Sequence, residues 1–259
     1  MASIANVAHE ELNHTAVTSQ ATTMTPTVVV GTVLHIGASA SNGADLTVTS
    51  TGATWTQRGS TQAVGTGFMA VWQCTAGSST SAITVGSSDS FADLATTTYD
   101  PTDVAVAATN VGTNGAAGVT DLTVTITVDN PALLVAHGFV LGSSVTFATD
   151  GGGGWTQEFQ AVGGVSTNAQ QILYRTTDDA DVLIDPTGTQ SIGGIVVSFD
   201  ASASTSTGKL AGAPGKLAGI GGSLVGLGGG LVGFSRVGRL FRRPRLIVPV
   251  GIDLAPQGA

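Results

Sequence analysis

Two stretches of this chain say nearly the same thing. "TSTGATWTQRGS" and "TDGGGGWTQEFQ" both centre on Trp-Thr-Gln, and Trp55 and Trp155 stand 100 positions apart. Shifting the sequence by that distance extends the match: "TMTPTV" from Thr23 falls on "TVTITV" from Thr123, and "GTVLHI" from Gly31 falls on "PALLVA" from Pro131. "TTTYD" and "VVSFD" end together, Tyr99 over Phe199 and Asp100 over Asp200, while "AVWQCTA" meets "ILYRTTD" with a slip of one or two residues. A collinear series of this length reads as an internal repeat, one packing solution used twice.

Each copy reads as short strands. In "LTVTITV" the apolar Leu122, Val124, Ile126 and Val128 share one face and threonines the other, the period-two pattern of a half-buried strand. "TVVVGTVLHIGA" and "PALLVAHGFVLG" are almost continuously apolar and suit central strands covered on both sides. "SNGAD", "DPTD", "TNGAAG", "DGGGG" and "DPTG" supply turn chemistry between them. Only 10% of the 259 residues are charged, and 37 are glycine. With Thr and Val abundant and Lys and Glu rare, the composition favours pleated sheet over helix. The expected fold is all-β: a duplicated antiparallel β-sandwich with jelly-roll or Ig-like halves at residues 15–109 and 110–208, preceded by an arm at 1–14 and followed by a Gly-rich tail at 209–259.

Trp55 and Trp155 each follow a glycine-containing turn and open a strand, so they are expected as equivalent core anchors. The alternative use, a pair of exposed aromatic platforms for sugars, would make the chain a carbohydrate-binding adhesin.

With these residues in view, the chain resembles a β-sandwich module recurrent in bacteriophage virion proteins, common in minor tail proteins and related bacterial surface proteins. The elements that carry the resemblance are Gly31-Thr32-Val33-Leu34, Trp55-Thr56, Val71-Trp72 and Tyr99-Asp100. The second half repeats them as Ala132-Leu133-Leu134-Val135-Ala136, Gly154-Trp155-Thr156, Leu173-Tyr174 and Phe199-Asp200. Where the module's first strand opens on Asp, this chain has Thr32 and Ala132. The resemblance spans about residues 15–205. It implies a structural virion protein in the tail or tail tip, with other virion proteins and copies of itself as partners. A capsid decoration protein or head fibre would use the same parts, and a host surface glycan is a further partner to consider.

Charge divides the chain. Residues 1–208 carry Arg58 and Arg175 against sixteen acids, a net of −14; residues 209–259 carry two lysines and five arginines against Asp253, a net of +6. Such asymmetry gives the tail its own expected partner. "LAGIGGSLVGLGGGLVGFS", from Leu217 to Ser235, is uncharged and contains eight glycines. It is long enough to span a membrane, but so much glycine disfavours a water-exposed helix. Close packing on neighbouring subunits through Leu224, Leu227, Leu231 and Phe234 is the preferred reading. The arginines Arg236, Arg239, Arg242, Arg243 and Arg245 follow, and "RLIVPV" suits a strand added to another sheet. Arginine forks pair with phosphates, yet no nucleic-acid-binding motif surrounds these, and the acidic body of the same or a neighbouring subunit is the nearer partner.

No catalytic constellation is visible. Cys74 sits alone in an apolar run, which suits a small buried hydrophobe and allows no intramolecular disulfide. Asp178, Asp179, Asp181 and Asp185 lack the alternating ligand pattern of an EF-hand loop and read as an acidic hairpin. "DGGGGW" has no lysine and precedes a strand, unlike a phosphate loop. His35 and His137 lie in apolar strands, do not coincide under the 100-residue shift, and are expected as satisfied core histidines with no metal. The three glutamates, Glu10, Glu11 and Glu158, form no pair suited to glycoside hydrolysis. "MASIANVAHEELNH" shows no basic run before an apolar core, so no secretory leader is expected. Neither a cofactor nor an enzymatic activity is expected.

Overall fold

Among the described residues the main chain pairs strand to strand, as a sequence this rich in β-branched residues and poor in helix formers favours. In the computed structural model, residues 2–40, 46–128, 131–142, 144–163, 168–176 and 181–202 are described, and every regular element among them is a β-strand. The expected all-β class is what the chain adopts.

The first sheet contains β1 (Ser3–Ala21), β2 (Val33–Ala40), β3 (Leu46–Thr49), β4 (Ala53–Val64), β5 (Gly67–Gly77) and β6 (Thr84–Thr102), in the order β1-β6-β2-β5-β4. Strand β3 pairs the start of β6 and continues the line of β2 along it. Residues 3–14 of the N-terminal segment run in β1, at the sheet's edge.

The second sheet contains β7 (Val104–Val119), β9 (Leu133–Leu141), β10 (Thr156–Ala161), β11 (Asn168–Arg175) and β13 (Gln190–Ala201), in the order β10-β11-β9-β13-β7. A separate ribbon pairs β8 (Leu122–Val124) with β12 (Val182–Ile184). All these pairings are antiparallel, and the sheets curl toward barrels.

Read from the long strand inward, the two sheets run in the same order: β1, β6, β2, β5, β4 against β7, β13, β9, β11, β10. The central register repeats at the 100-residue offset, Val33 opposite Tyr99 and Leu133 opposite Phe199. One register departs from the sequence alignment. Leu34 faces Trp72, but Leu134 faces Arg175, a slip of three where one or two was expected. The two hairpins stay centred 100 residues apart, Val64 opposite Gly67 and Ala161 opposite Gln170, so the slip belongs to the pairing of β11 with β9. Because side chains alternate across a strand, the odd residue of slip turns the matched aromatics to opposite faces. Trp72 packs on the first half's outer core, Tyr174 on the layer between the sheets.

Three apolar layers result. Between the sheets lie Val33, Met69, Val71 and Tyr99 of the first and Leu133, Val135, Phe139, Ile172, Ile195, Val197 and Phe199 of the second. Outside the first sheet, Leu34, Ile36, Trp55, Ile83 and Phe91 pack together; outside the second, Leu122, Val124, Leu134, Trp155 and Val182 do so. Strands β2 and β9 are therefore covered on both faces, as predicted, but the first apolar run starts ahead of its strand: Val30 and Gly31 turn, and Val29 and Val30 are exposed. From Leu122 to Val128 the alternating residues are buried or half-buried on one side while the threonines stay exposed, also as predicted.

The sheets face each other reciprocally. β4 lies over β7 and β5 over β13, while β1 and β6 lie over β10 and β11. His9 of β1 contacts Phe159 of β10, and Gly59 of β4 touches Val111 of β7, so the contacts exchange roles between matched positions, as about a two-fold axis. Near that axis Gly37 makes room for Phe139, whose ring would collide with any Cβ there.

Candidate functional site: a polar seam between the two sheets

The residues named from the sequence for partner binding, Leu231, Phe234, Arg236, Arg239, Arg242, Arg243 and Arg245, lie outside the described residues, as do Leu224, Leu227 and "RLIVPV". Asp178 and Asp179 lie outside them too. Trp55 and Trp155 are buried, at 8% and 5% exposure, and cannot serve as sugar platforms. Each indole N–H is satisfied internally: Trp55 donates to Ser50 Oγ and Trp155 to the Asp181 carbonyl, both at 2.9 Å. Cys74 is buried as expected, and burial pushes its thiol pKa up.

The chemistry that the structure brings together is a line of polar side chains inside the otherwise apolar layer. It starts at the rim with His9 on β1, passes Thr97 and Tyr99 on β6, and crosses to Gln170 on β11 and His137 on β9, with His35 of β2 beside it. All but His9 are fully buried.

Donor and acceptor roles follow from the connections. The Gln170 amide nitrogen donates to the Ala95 carbonyl at 3.1 Å, which leaves Gln170 Oε1 to accept from the Thr97 hydroxyl at 2.7 Å. Having given its one proton, Thr97 must accept from His9 Nδ1 at 2.8 Å. The other ring nitrogen of His9 stands 3.4 Å from Glu11 Oε1, a partner it can bond only when the ring is charged. Deeper in, His137 Nδ1 donates to the Ile195 carbonyl at 3.0 Å, so Nε2 accepts from the Tyr99 hydroxyl at 2.9 Å. The Tyr99 ring also stacks on His137, with centroids 5.6 Å apart.

His35 is different. Its ring lies 5.1 Å from that of His137, and neither of its nitrogens has a protein hydrogen-bond partner. The expectation of satisfied core histidines thus holds for His137 and fails for His35. The reason is positional: β2 offers His35 to an inner face lined by Val33, Val71 and Val135, where no acceptor is within reach.

Burial sets the titration of this group. Desolvation holds His35 well below the usual histidine range, with repulsion from His137 and His9 adding to it. Desolvation draws His137 down to about 4 against the favourable bond to Ile195. His9 is lowered by desolvation too, with Glu11 opposing. Burial raises the Tyr99 hydroxyl well above its ordinary value.

Sequence comparison at a fixed offset could not find the seam. His35 and His137 differ by two positions after the 100-residue shift, which looks like non-equivalence. Facing strands related by about a two-fold axis bring just such near-matched positions together.

Elsewhere, Thr146, Phe147, Ala148, Asp185, Pro186 and Thr187 line an open groove of about 470 Å³ whose one titratable lining group is Asp185. Its floor is pinned by Ala148 N–H donating to the Asp185 carbonyl and Thr187 N–H donating to the Thr146 carbonyl, both at 2.8 Å. Among the described residues no three His, Cys, Asp or Glu side chains converge as a metal centre needs, and no helix is long and apolar enough to cross a membrane. Compared with known proteins, the chain matches no family model, no curated protein and no solved structure.

Proposed function

We propose that this chain is a non-enzymatic structural protein of a bacteriophage virion, a minor tail or tail-tip component that docks through residues 209–259, and that its two halves derive from one repeated unit. The observation that carries the reading is the placement of the motif elements. Val33 with Tyr99 and Leu133 with Phe199 occupy the same register, and Trp55 and Trp155 anchor corresponding outer cores. The two sheets share one strand order. A body whose buried polar chemistry holds its sheets together suits a building block. The opposite charges of body and tail suit docking on like subunits.

Immunogold labelling of purified particles with antibody raised against residues 1–208 tests this. Label at the tail or its tip is the expected result. Label distributed over the head would move the protein to capsid decoration, and particles free of it would overturn the virion reading altogether.

A further inference from the structure

We propose that the polar seam is an acid-sensitive fastener: proton uptake by His35 and His137 separates the inner faces of the two sheets, while each sheet keeps its outer layer.

The geometry carries the proposal. His35 and His137 project from the central strands of the two sheets and meet in the middle of the layer that joins them. A proton added to His35 would be a buried charge with no hydrogen-bond partner, one ring away from a second proton acceptor. A proton added to His137 must go to Nε2, the nitrogen that already accepts from Tyr99. The Tyr99 hydroxyl would then have to turn its own proton into apolar surroundings. Buried charge without a partner is not tolerated by a packed interior, so both uptakes favour a state in which the rings reach water.

The surrounding groups do not relieve this. The titratable groups acting on His35 are His137 from β9 and His9 from β1, both of which repel its charge. Its neighbours in the sheet are Val71 on β5 and Thr97 on β6. His137 lies between Ile172 on β11 and Ile195 on β13, and faces Tyr99 of β6, whose raised pKa keeps it neutral. Glu11 and Glu10 act on His9 at the rim, where Glu11 can take up a charged ring. Glu11 offsets only part of the burial that lowers His9, and the central pair has no carboxylate at all, so acid acts most strongly on the centre.

Separation is the expected response because the backbone hydrogen bonds run within each sheet, while the sheets meet through side chains. The outer cores hold Trp55 and Trp155 and contain none of the seam's histidines. The inference does not depend on where in a particle the protein sits.

The test uses the full chain, brought from pH 7 to pH 4, with a dye that fluoresces on exposed apolar surface and with tryptophan emission read in parallel. Dye fluorescence should rise below about pH 6.5, the ordinary histidine value, while tryptophan emission stays at its neutral-pH position. The change should reverse on return to pH 7. His35→Val, which copies Val135 at the matching place in the second sheet, should move the dye midpoint down by about one pH unit, because one of the two central proton sites is gone. If His35→Val does not fold, His137→Gln is read in the same way. The proposal is overturned if dye binding does not rise by pH 4, if dye and tryptophan signals change together, or if the variant keeps the wild-type midpoint.

Discussion

At the scale of single residues, Trp55, Trp155 and the seam divide the labour of stability. Each of these two indoles is buried in an outer core with its N–H satisfied, so truncation leaves a cavity and removes a hydrogen bond. Trp55→Ala and Trp155→Ala should each cost about 3–5 kcal/mol, read from denaturant unfolding. Wild-type stability in both would remove them from the core. Tyr99→Phe keeps the ring but leaves His137 Nε2 without a donor, which should cost about 1–3 kcal/mol. Its measurement is the same unfolding curve at neutral pH. The histidines also set a pH dependence whose sign is fixed. His9, His35 and His137 are all lowered in the folded chain, so below the ordinary value of about 6.5 the unfolded chain binds more protons. Stability is fully present above that value and falls as pH drops toward the folded values. His137, titrating at about 4, accounts for roughly 3 kcal/mol of that loss. Unfolding free energies at pH 7 and pH 4.5 should differ in this direction, and His137→Gln should reduce the difference.

At the scale of elements, the turn before Trp155 shows what sequence could and could not reveal. Gly151, Gly152, Gly153 and Gly154 all have φ in the left-handed range, between 55° and 106°. Asp150 holds the turn through its carbonyl, which accepts from Gly153 N–H at 2.8 Å, and Gly151's carbonyl accepts from Leu183 of β12 at 2.8 Å. A Cβ on Gly151 would stand 2.9 Å from Leu173 and from Trp155. Gly151→Ala should therefore destabilise by more than about 1 kcal/mol, with the loss visible in thermal unfolding and in tryptophan emission. That this run is a turn leading into a strand was legible from its glycines alone. The central strands β2 and β9 were legible from their apolar runs, and the buried face from Leu122 to Val128 from simple alternation. The register of β11 was not, because it is set by pairing with β9 across the sheet rather than by the hairpin, and an odd slip reverses which side a side chain faces. The seam was hidden for a different reason. Hydrogen bonds such as Thr97 to Gln170 depend on how two sheets face one another, and no periodicity within one strand encodes that.

At the scale of the whole molecule, the contacts separate the chain between Ser204 and Thr205. Every described strand lies before that point, β13 ending at Ala201. The reciprocal facing of the sheets closes the inner layer on itself: β4 with β7 at one side, His9 with Phe159 at the other, and the seam through the middle. Residues 209–259 lie outside the described residues. In the proposed reading their five-arginine cluster and net +6 take an acidic partner, and the −14 of residues 1–208 repeated on neighbouring copies is of opposite sign. Deleting residues 209–259 should accordingly leave a soluble chain whose unfolding free energy stays within about 0.5 kcal/mol of the full-length value. The same deletion should abolish incorporation into particles, measured by quantifying the protein in purified virions after complementation. A truncated chain that unfolds would show that the last fifty residues complete the body's core. One that incorporates normally would show that docking runs through the sheets themselves, and the exposed edge strand β1 would then be the first surface to mutate.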